Sequence, residues 1–74
     1  MAIKHNKKHF GKKLLSLRKK HKITRSVLSK KVCISVPTII NIEIHHILPS
    51  LNTAIKLSKF FKLSVSDFVG DSAA

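Results

Sequence analysis

Apolar positions recur along this chain with the three-to-four-residue period of a helix, in five short blocks separated by turn and capping residues. Phe10, Leu14, Leu17 and His21 fall on one stripe, with Lys12, Lys13, Lys19 and Lys20 on the other sides. This spacing predicts an amphipathic helix of about three turns. Thr24 stands before a second run and is a good N-cap, because its hydroxyl oxygen can accept from a free backbone N–H. Val27, Leu28 and Val32 give that helix its expected inner face. Cys33-Ile34 reads as a short turn. Ser35 is the next cap, and Pro37 falls in the first turn of a third helix, where its missing N–H costs nothing. That helix is predicted from Val36 to Ile44, with Ile39 and Ile42 inward. His45 to Ser50 forms a connection containing Pro49, and Ser50 caps a fourth helix. Leu51, Ala54, Leu57, Ser58 and Phe61 mark its expected buried side, Lys62 closes it, and Leu63 packs beneath. Ser64 and Asp67 have the spacing of a reciprocal cap, opening a short fifth helix through Phe68 and Val69.

The fold class is therefore all-α, a compact domain of five helices. The predicted organisation is a basic flexible arm over 1–9, a domain over 10–69 and a flexible tail over 70–74. The 74 residues allow one modest core, which buries only about 60% of the unfolded surface. An apolar fraction of 43% is ordinary for a globular chain.

Charge changes the picture. Fifteen Lys and Arg against three Asp and Glu give a formal net charge of +12. That excess points to a polyanionic partner, nucleic acid or an anionic membrane, unless it only keeps a basic surface soluble. It is also unevenly placed: the three acids, Glu43, Asp67 and Asp71, all lie in the second half, and no Lys or Arg falls between Val32 and Ile55. Cys33 is the sole cysteine, so neither an internal disulfide nor a cysteine-based zinc site is expected, and a reducing compartment fits. His5, His9, His21, His45 and His46 have no familiar metal-site spacing. No metal and no cofactor are expected. No run reaches the roughly 18 apolar residues of a membrane span, and no apolar signal core follows the basic start. The expected localisation is cytoplasmic.

The second and third helices are separated by about three or four residues, the spacing of a helix-turn-helix. Leu17-Arg18, Thr24, Leu28, Val32, Ser35, Thr38-Ile39, Ile42-Glu43, Pro49-Ser50-Leu51, Leu57, Leu63 and Ser64-Val65-Ser66-Asp67-Phe68 together resemble the Cro and lambda-repressor-like (XRE-type) helix-turn-helix family, over about Phe10 to Val69. The resemblance implies a five-helix domain, dimeric on operator DNA, with its third helix in the major groove. It also implies that Arg18 and Glu43 pair across the domain as a structural ion pair. Arg25 stands where the family commonly has Gln, and Ser29 where it often has Ala. Cys33, His45 and Lys62 stand where it often has Gly, so these three are expected in backbone conformations that glycine tolerates more easily.

Thr24, Arg25 and Ser35 sit at helix amino ends, which present free N–H groups and partial positive charge, so they are expected at DNA phosphates. His45 and His46, in a loop where the family often carries basic residues, are expected there too. The family pattern turns Val36, Pro37, Thr38, Ile40, Asn41 and Ile44 outward. Val36, Pro37, Thr38, Ile40 and Asn41 are thus the candidate base contacts, with Asn41 suited to adenine and Val36, Thr38 and Ile40 to thymine methyls. An A·T-rich operator follows. Ile40 and Ile44 fit a core or a protein interface equally well. Ile47, Leu48, Ile55 and Phe60 are apolar where the pattern leaves positions exposed, and are the expected dimer or partner surface. The arm before Phe10 either enters a minor groove or is disordered.

The expected function is sequence-specific recognition of double-stranded DNA by a transcriptional repressor or autoregulator. Candidates are a phage or plasmid repressor, a restriction-system controller, or an antitoxin with a toxin partner. Promoter occlusion or recruitment by surface contact is the expected mechanism. The alternative is a protein-binding module with only nonspecific DNA affinity. A membrane-active cationic peptide fits poorly with five capped segments, and no membrane partner is expected. An enzyme is not expected, because the chain has no phosphate-cradling glycine loop and few acids.

Overall fold

The computed structural model describes residues 7–69, with side chains from His9 to Phe68. Most of the predicted arm and the whole 70–74 tail lie outside the described residues. Five helices follow one another, with no strand among the described residues: α1 (Lys7–Lys20), α2 (Arg25–Val32), α3 (Val36–Glu43), α4 (Leu51–Phe61) and α5 (Val65–Val69). α1 packs on α3 and α5, α2 lies against α3 and α4, and α4 also meets α5.

The caps fall where local chemistry puts them. Thr24 accepts from the Val27 N–H, Ser35 from Thr38 and Ser50 from Thr53. Each satisfies a donor that the first turn of a helix leaves without an internal partner. At α5 the cap is reciprocal: the Ser64 N–H donates to Asp67 Oδ2 at 3.1 Å, and the Asp67 N–H donates to Ser64 Oγ at 3.2 Å. These bonds, with Lys13 nearby, hold the Asp67 carboxyl below its ordinary pKa, the Ser64 backbone bond contributing most.

The core joins all five helices. Leu14, Leu28, Ile39, Leu57 and Phe68 are fully buried, with Phe10, Val32, Ile34, Ile42, Ala54 and Phe61 nearly so. An aromatic chain closes one end of it. Phe10 stacks on Phe68 with centroids 4.6 Å apart, Phe68 lies against Phe61 at 6.2 Å, and His21 covers the other side of Phe61 at 5.3 Å. Such contacts contribute about 0.5–1.5 kcal/mol each beyond the area they bury. They attach the five-residue α5, too short to persist alone, to α1 and α4. The one buried hydroxyl among the described residues, Ser58, donates to the Ala54 carbonyl at 2.8 Å.

Several expectations are corrected in detail. α1 begins at Lys7, so residues 7–9 belong to the helix rather than to an arm, since Phe10 is anchored in the core and the turn before it continues the same backbone. Val27 and Leu51, expected inward, are 41% and 69% exposed. Val27 lies one residue off the buried Leu28–Val32 stripe of α2, and Leu51 is the first residue of α4, one turn before its first buried position, Ala54. Cys33 and Lys62 adopt the left-handed conformation as expected, at φ 58° each, but in the loop after α3 the residue with positive φ is His46, not His45. α3 itself ends at Glu43, with Ile44 its C-cap. Lys22 is a fourth left-handed residue. It ends α1 with the Lys22 N–H on the Lys19 carbonyl and the Ile23 N–H on Arg18.

Gly11 is a point of close approach between α1 and α3. A Cβ built there would run into the Ile42 carbonyl oxygen of the α3 backbone and would meet His46 Nδ1 at 3.0 Å. The nearer neighbour is backbone and cannot swing aside as the His46 ring could, so even a methyl group forces the helices apart.

Gly11→Ala should therefore destabilise the domain by about 1–3 kcal/mol through overpacking, despite the roughly 1 kcal/mol helix-propensity advantage of alanine. A lower urea midpoint at unchanged slope is the expected outcome. Because the folded-state pKa of Asp67 is lowered, its stabilisation is present above the unfolded value of about 3.9 and is lost as pH falls through the folded value. The Tm of wild type should exceed that of Asp67→Asn near neutrality, and the gap should close on acidification below about pH 4.

Candidate nucleic-acid interface

α2 and α3 are joined by Cys33, Ile34 and Ser35. The left-handed Cys33 ends α2, with its N–H on the Ser29 carbonyl, and buried Ile34 pins the turn to the core. α3 then turns Ile39, Ile42 and Glu43 inward. On its other side Pro37 and Asn41 are exposed, and Val36, Thr38 and Ile40 are half-buried. Ile44, just past the helix, is 51% exposed. All five candidate base-contact residues thus share one accessible face.

Beneath that face is a buried ionic node. The Glu43 side chain has no solvent exposure. Arg18 grips it with two bonds, Nε to Oε2 at 2.9 Å and Nη2 to Oε1 at 3.0 Å, and places Nη1 on the Ile23 carbonyl at 3.0 Å. Arg25 adds a further bond, Nε to Oε1 at 2.9 Å. A carboxylate in the last turn of a helix faces the negative end of the helix dipole, and burial adds a desolvation cost of several kcal/mol. Two guanidinium groups offset both.

The placement of Arg25 was not legible in the sequence. It stands at the first position of α2 and was expected to face a phosphate; its Nε is committed to Glu43, and its side chain is still 32% exposed. Among the described residues its terminal nitrogens bond to no protein group, so one edge of the guanidinium is anchored and the other is open. Arg25 lines an open cleft of about 660 Å³ together with Lys19, Lys22 and Thr24 and with Val36 and Ile40 of α3. Thr24 Oγ1 accepts from the Val27 N–H at 3.1 Å, which leaves the hydroxyl proton free to donate outward. Ser35 Oγ is tied to Thr38, with 2.8 Å between the two hydroxyl oxygens and 3.3 Å from the Thr38 N–H.

The two histidines after α3 differ. His45 is exposed, whereas His46 is half-buried, with Nδ1 buried against α1 and without a hydrogen-bond partner. The loop is held to α3 by the Ile47 N–H on the Asn41 carbonyl at 3.0 Å. Of the expected partner surface, Ile47 and Leu48 are 54% and 46% exposed, Phe60 is 36% exposed and Ile55 is half-buried. Ile44 and Leu51, the latter expected in the core, are exposed large apolar residues as well. No group of three or more His, Cys, Asp or Glu side chains able to hold a metal ion occurs among the described residues. No described helix is long and apolar enough to cross a membrane.

A sequence profile described as helix-turn-helix matches residues 14–68, which takes in α2, α3 and most of every other helix except α1. The chain belongs to the helix-turn-helix family. The match supports the resemblance to Cro and lambda-repressor-like domains carried by the residues quoted above. This helix-turn-helix chain is also 42% identical over 55 residues to a protein of Methanocaldococcus jannaschii named an uncharacterized HTH-type transcriptional regulator, covering 74% of this chain and 83% of the relative. No solved structure matches it at the same level of significance.

Removing Glu43 leaves the largely buried Arg18 without its partner, whereas removing Arg25 leaves Glu43 still held by Arg18. Glu43→Ala should cost about 3–5 kcal/mol. Arg25→Ala, at a partly exposed site, should cost no more than about 1 kcal/mol. Chemical denaturation of the two variants in parallel measures both; equal losses would show that Glu43 does not depend on Arg18 as its main partner.

Proposed function

We propose that this helix-turn-helix protein is a sequence-specific, double-stranded DNA-binding transcriptional regulator, acting as a repressor or autoregulator in the manner of a phage or plasmid repressor or an antitoxin. The observation that carries this reading is the open edge of Arg25, fixed by Glu43 at the amino end of α2, beside the accessible face of α3. A fixed guanidinium loses less entropy on meeting a phosphate than a free one. The free N–H groups of the α2 and α3 termini add to the attraction. Thr24, Arg25, Ser35 and His45 then take phosphates. His46 contributes only its Nε2 edge, since Nδ1 faces α1.

With phosphates fixing register, α3 enters the major groove. Exposed Asn41 pairs with adenine N6 and N7, and Val36, Pro37, Thr38 and Ile40 give an apolar surface for thymine methyls. α3 carries no Lys or Arg, so it lacks the commonest guanine contact. An A·T-rich half-site follows. A cytoplasmic homodimer joined through Ile47 and Leu48 would present two α3 helices about 34–36 Å apart, one turn of duplex. Binding there occludes promoter DNA. The same apolar run favours a second reading, a module that docks a protein such as a toxin and holds DNA only nonspecifically.

Selection of bound sites from a random duplex pool at two salt concentrations separates the readings. The expected product is a symmetric A·T-rich site. Asn41→Ala should cost about 1–3 kcal/mol at one adenine and relax specificity there. Arg25→Ala should weaken binding to all sequences and reduce the salt slope by about one unit. Recovery of no preferred sequence favours the protein-docking module. An unchanged slope removes Arg25 from the phosphate contacts.

A further inference from the structure

Cationic side chains also converge on a second site that contains no residue of α3. Lys31 near the end of α2 and Lys56 and Lys59 on α4 line an open groove of about 480 Å³ together with Val32, Cys33 and Phe60. Lys56, Lys59 and Phe60 stand at i, i+3 and i+4 on α4 and so share one face of the helix. The opposite face, with Ala54, Leu57, Ser58 and Phe61, is buried in the core. Phe60 stands edge-on against buried Phe61, with centroids 4.9 Å apart and rings inclined at 79°, which holds the ring in place while leaving 36% of the residue exposed.

We infer that this groove docks an acidic peptide segment carrying an apolar or aromatic anchor, supplied by a partner protein. Charge complementarity selects the occupant. The three lysines form no salt bridge among the described residues. The two described acids are engaged elsewhere, Glu43 by the arginines and Asp67 by Ser64. Helix-end placement explains Lys31 or Lys59 singly, since a cation is favourable near a helix carboxyl end. It does not explain why both meet mid-helix Lys56 around an apolar lining. A second copy of this chain is disfavoured, because a symmetric contact would set these lysines against an identical set within a protein of net charge +12. A DNA backbone would use the charges but gain nothing from Val32 and Phe60, because phosphate contacts need cations and N–H donors and not an aromatic surface. A carboxylate-rich segment uses both features: its acids meet the lysines, and one apolar side chain fills the groove against the Phe60 ring.

The test uses the full chain and a fluorescein-labelled acidic peptide of about twelve residues with a central Leu-Phe pair. Its counterpart has Ser-Ser in place of Leu-Phe, and a labelled A·T-rich duplex is the third probe. Anisotropy titrations should show the Leu-Phe peptide bound about ten-fold more tightly than the Ser-Ser peptide. Phe60→Ser should erase that difference, and Lys56→Glu with Lys59→Glu should weaken the Leu-Phe peptide by about ten-fold or more. Unlabelled Leu-Phe peptide added to the wild-type complex should leave duplex affinity within about two-fold, because the groove contains no residue of α3. Amide NMR shifts on adding the peptide should centre on Lys31, Cys33 and Lys56 to Phe60. Equal binding of the two peptides, insensitivity to Phe60→Ser, shifts centred elsewhere, or displacement of the duplex by the Leu-Phe peptide would each overturn the proposal. None of these results depends on whether α3 reads bases.

Discussion

The structure is organised around one carboxylate. Glu43 is buried in the last turn of α3, where both the helix dipole and desolvation oppose its charge, and it is tolerable there only because Arg18 and Arg25 reach it. Arg18 comes from α1 and Arg25 from the first residue of α2, so the node ties three helices at one point. A buried pair of this kind orients its elements more than it adds net stability, because desolvation cancels much of the attraction. What it fixes is the pitch of α3 relative to the amino end of α2. The face carrying Asn41 and the open edge of Arg25 are set by the same contact.

Around the node, the remaining contacts fix distance and closure. Gly11 lets α1 approach the α3 backbone at Ile42 more closely than any side chain would allow. The Phe10, Phe68, Phe61 and His21 rings then bind both ends of α1 to the carboxyl-terminal helices. A 63-residue described region with this size of core depends on such specific contacts, since burial alone leaves a small domain marginal. The lysine-lined groove between α2 and α4 lies outside this framework, and its charges contribute nothing evident to stability.

Much of the architecture was legible in the sequence, for identifiable reasons. Ser, Thr and Pro at helix starts act through bonds within three residues, so Thr24, Ser35, Ser50 and the Ser64–Asp67 pair revealed their roles locally. The apolar period placed Leu14, Leu28, Ile39, Leu57 and Phe68 in the core. Failures came where apolar character alone did not fix the buried face. Val27 lies one residue off the Leu28–Val32 stripe, and Leu51 fits the period of α4 but precedes its first buried position, Ala54. The Arg25 contact was hidden because its partner lies 18 residues away, and no local rule links an amino-terminal arginine to a carboxylate on the next helix. The role of Gly11 was equally hidden: a glycine inside a helical pattern carries no sign of which backbone will lie against it.

The junctions at Lys22, Cys33, His46 and Lys62 all use left-handed backbone with a full side chain. For L-residues this conformation costs roughly 1–2 kcal/mol apiece, only partly recoverable by glycine because of its entropy in the unfolded chain. The four corners therefore hold a reserve of heat tolerance that the sequence leaves undrawn. Three of them, Lys22, Cys33 and Lys62, are exposed, and Lys62 lies on neither the α3 face nor the groove wall. Thermal hardening of this scaffold could begin at that corner without retuning what it recognises.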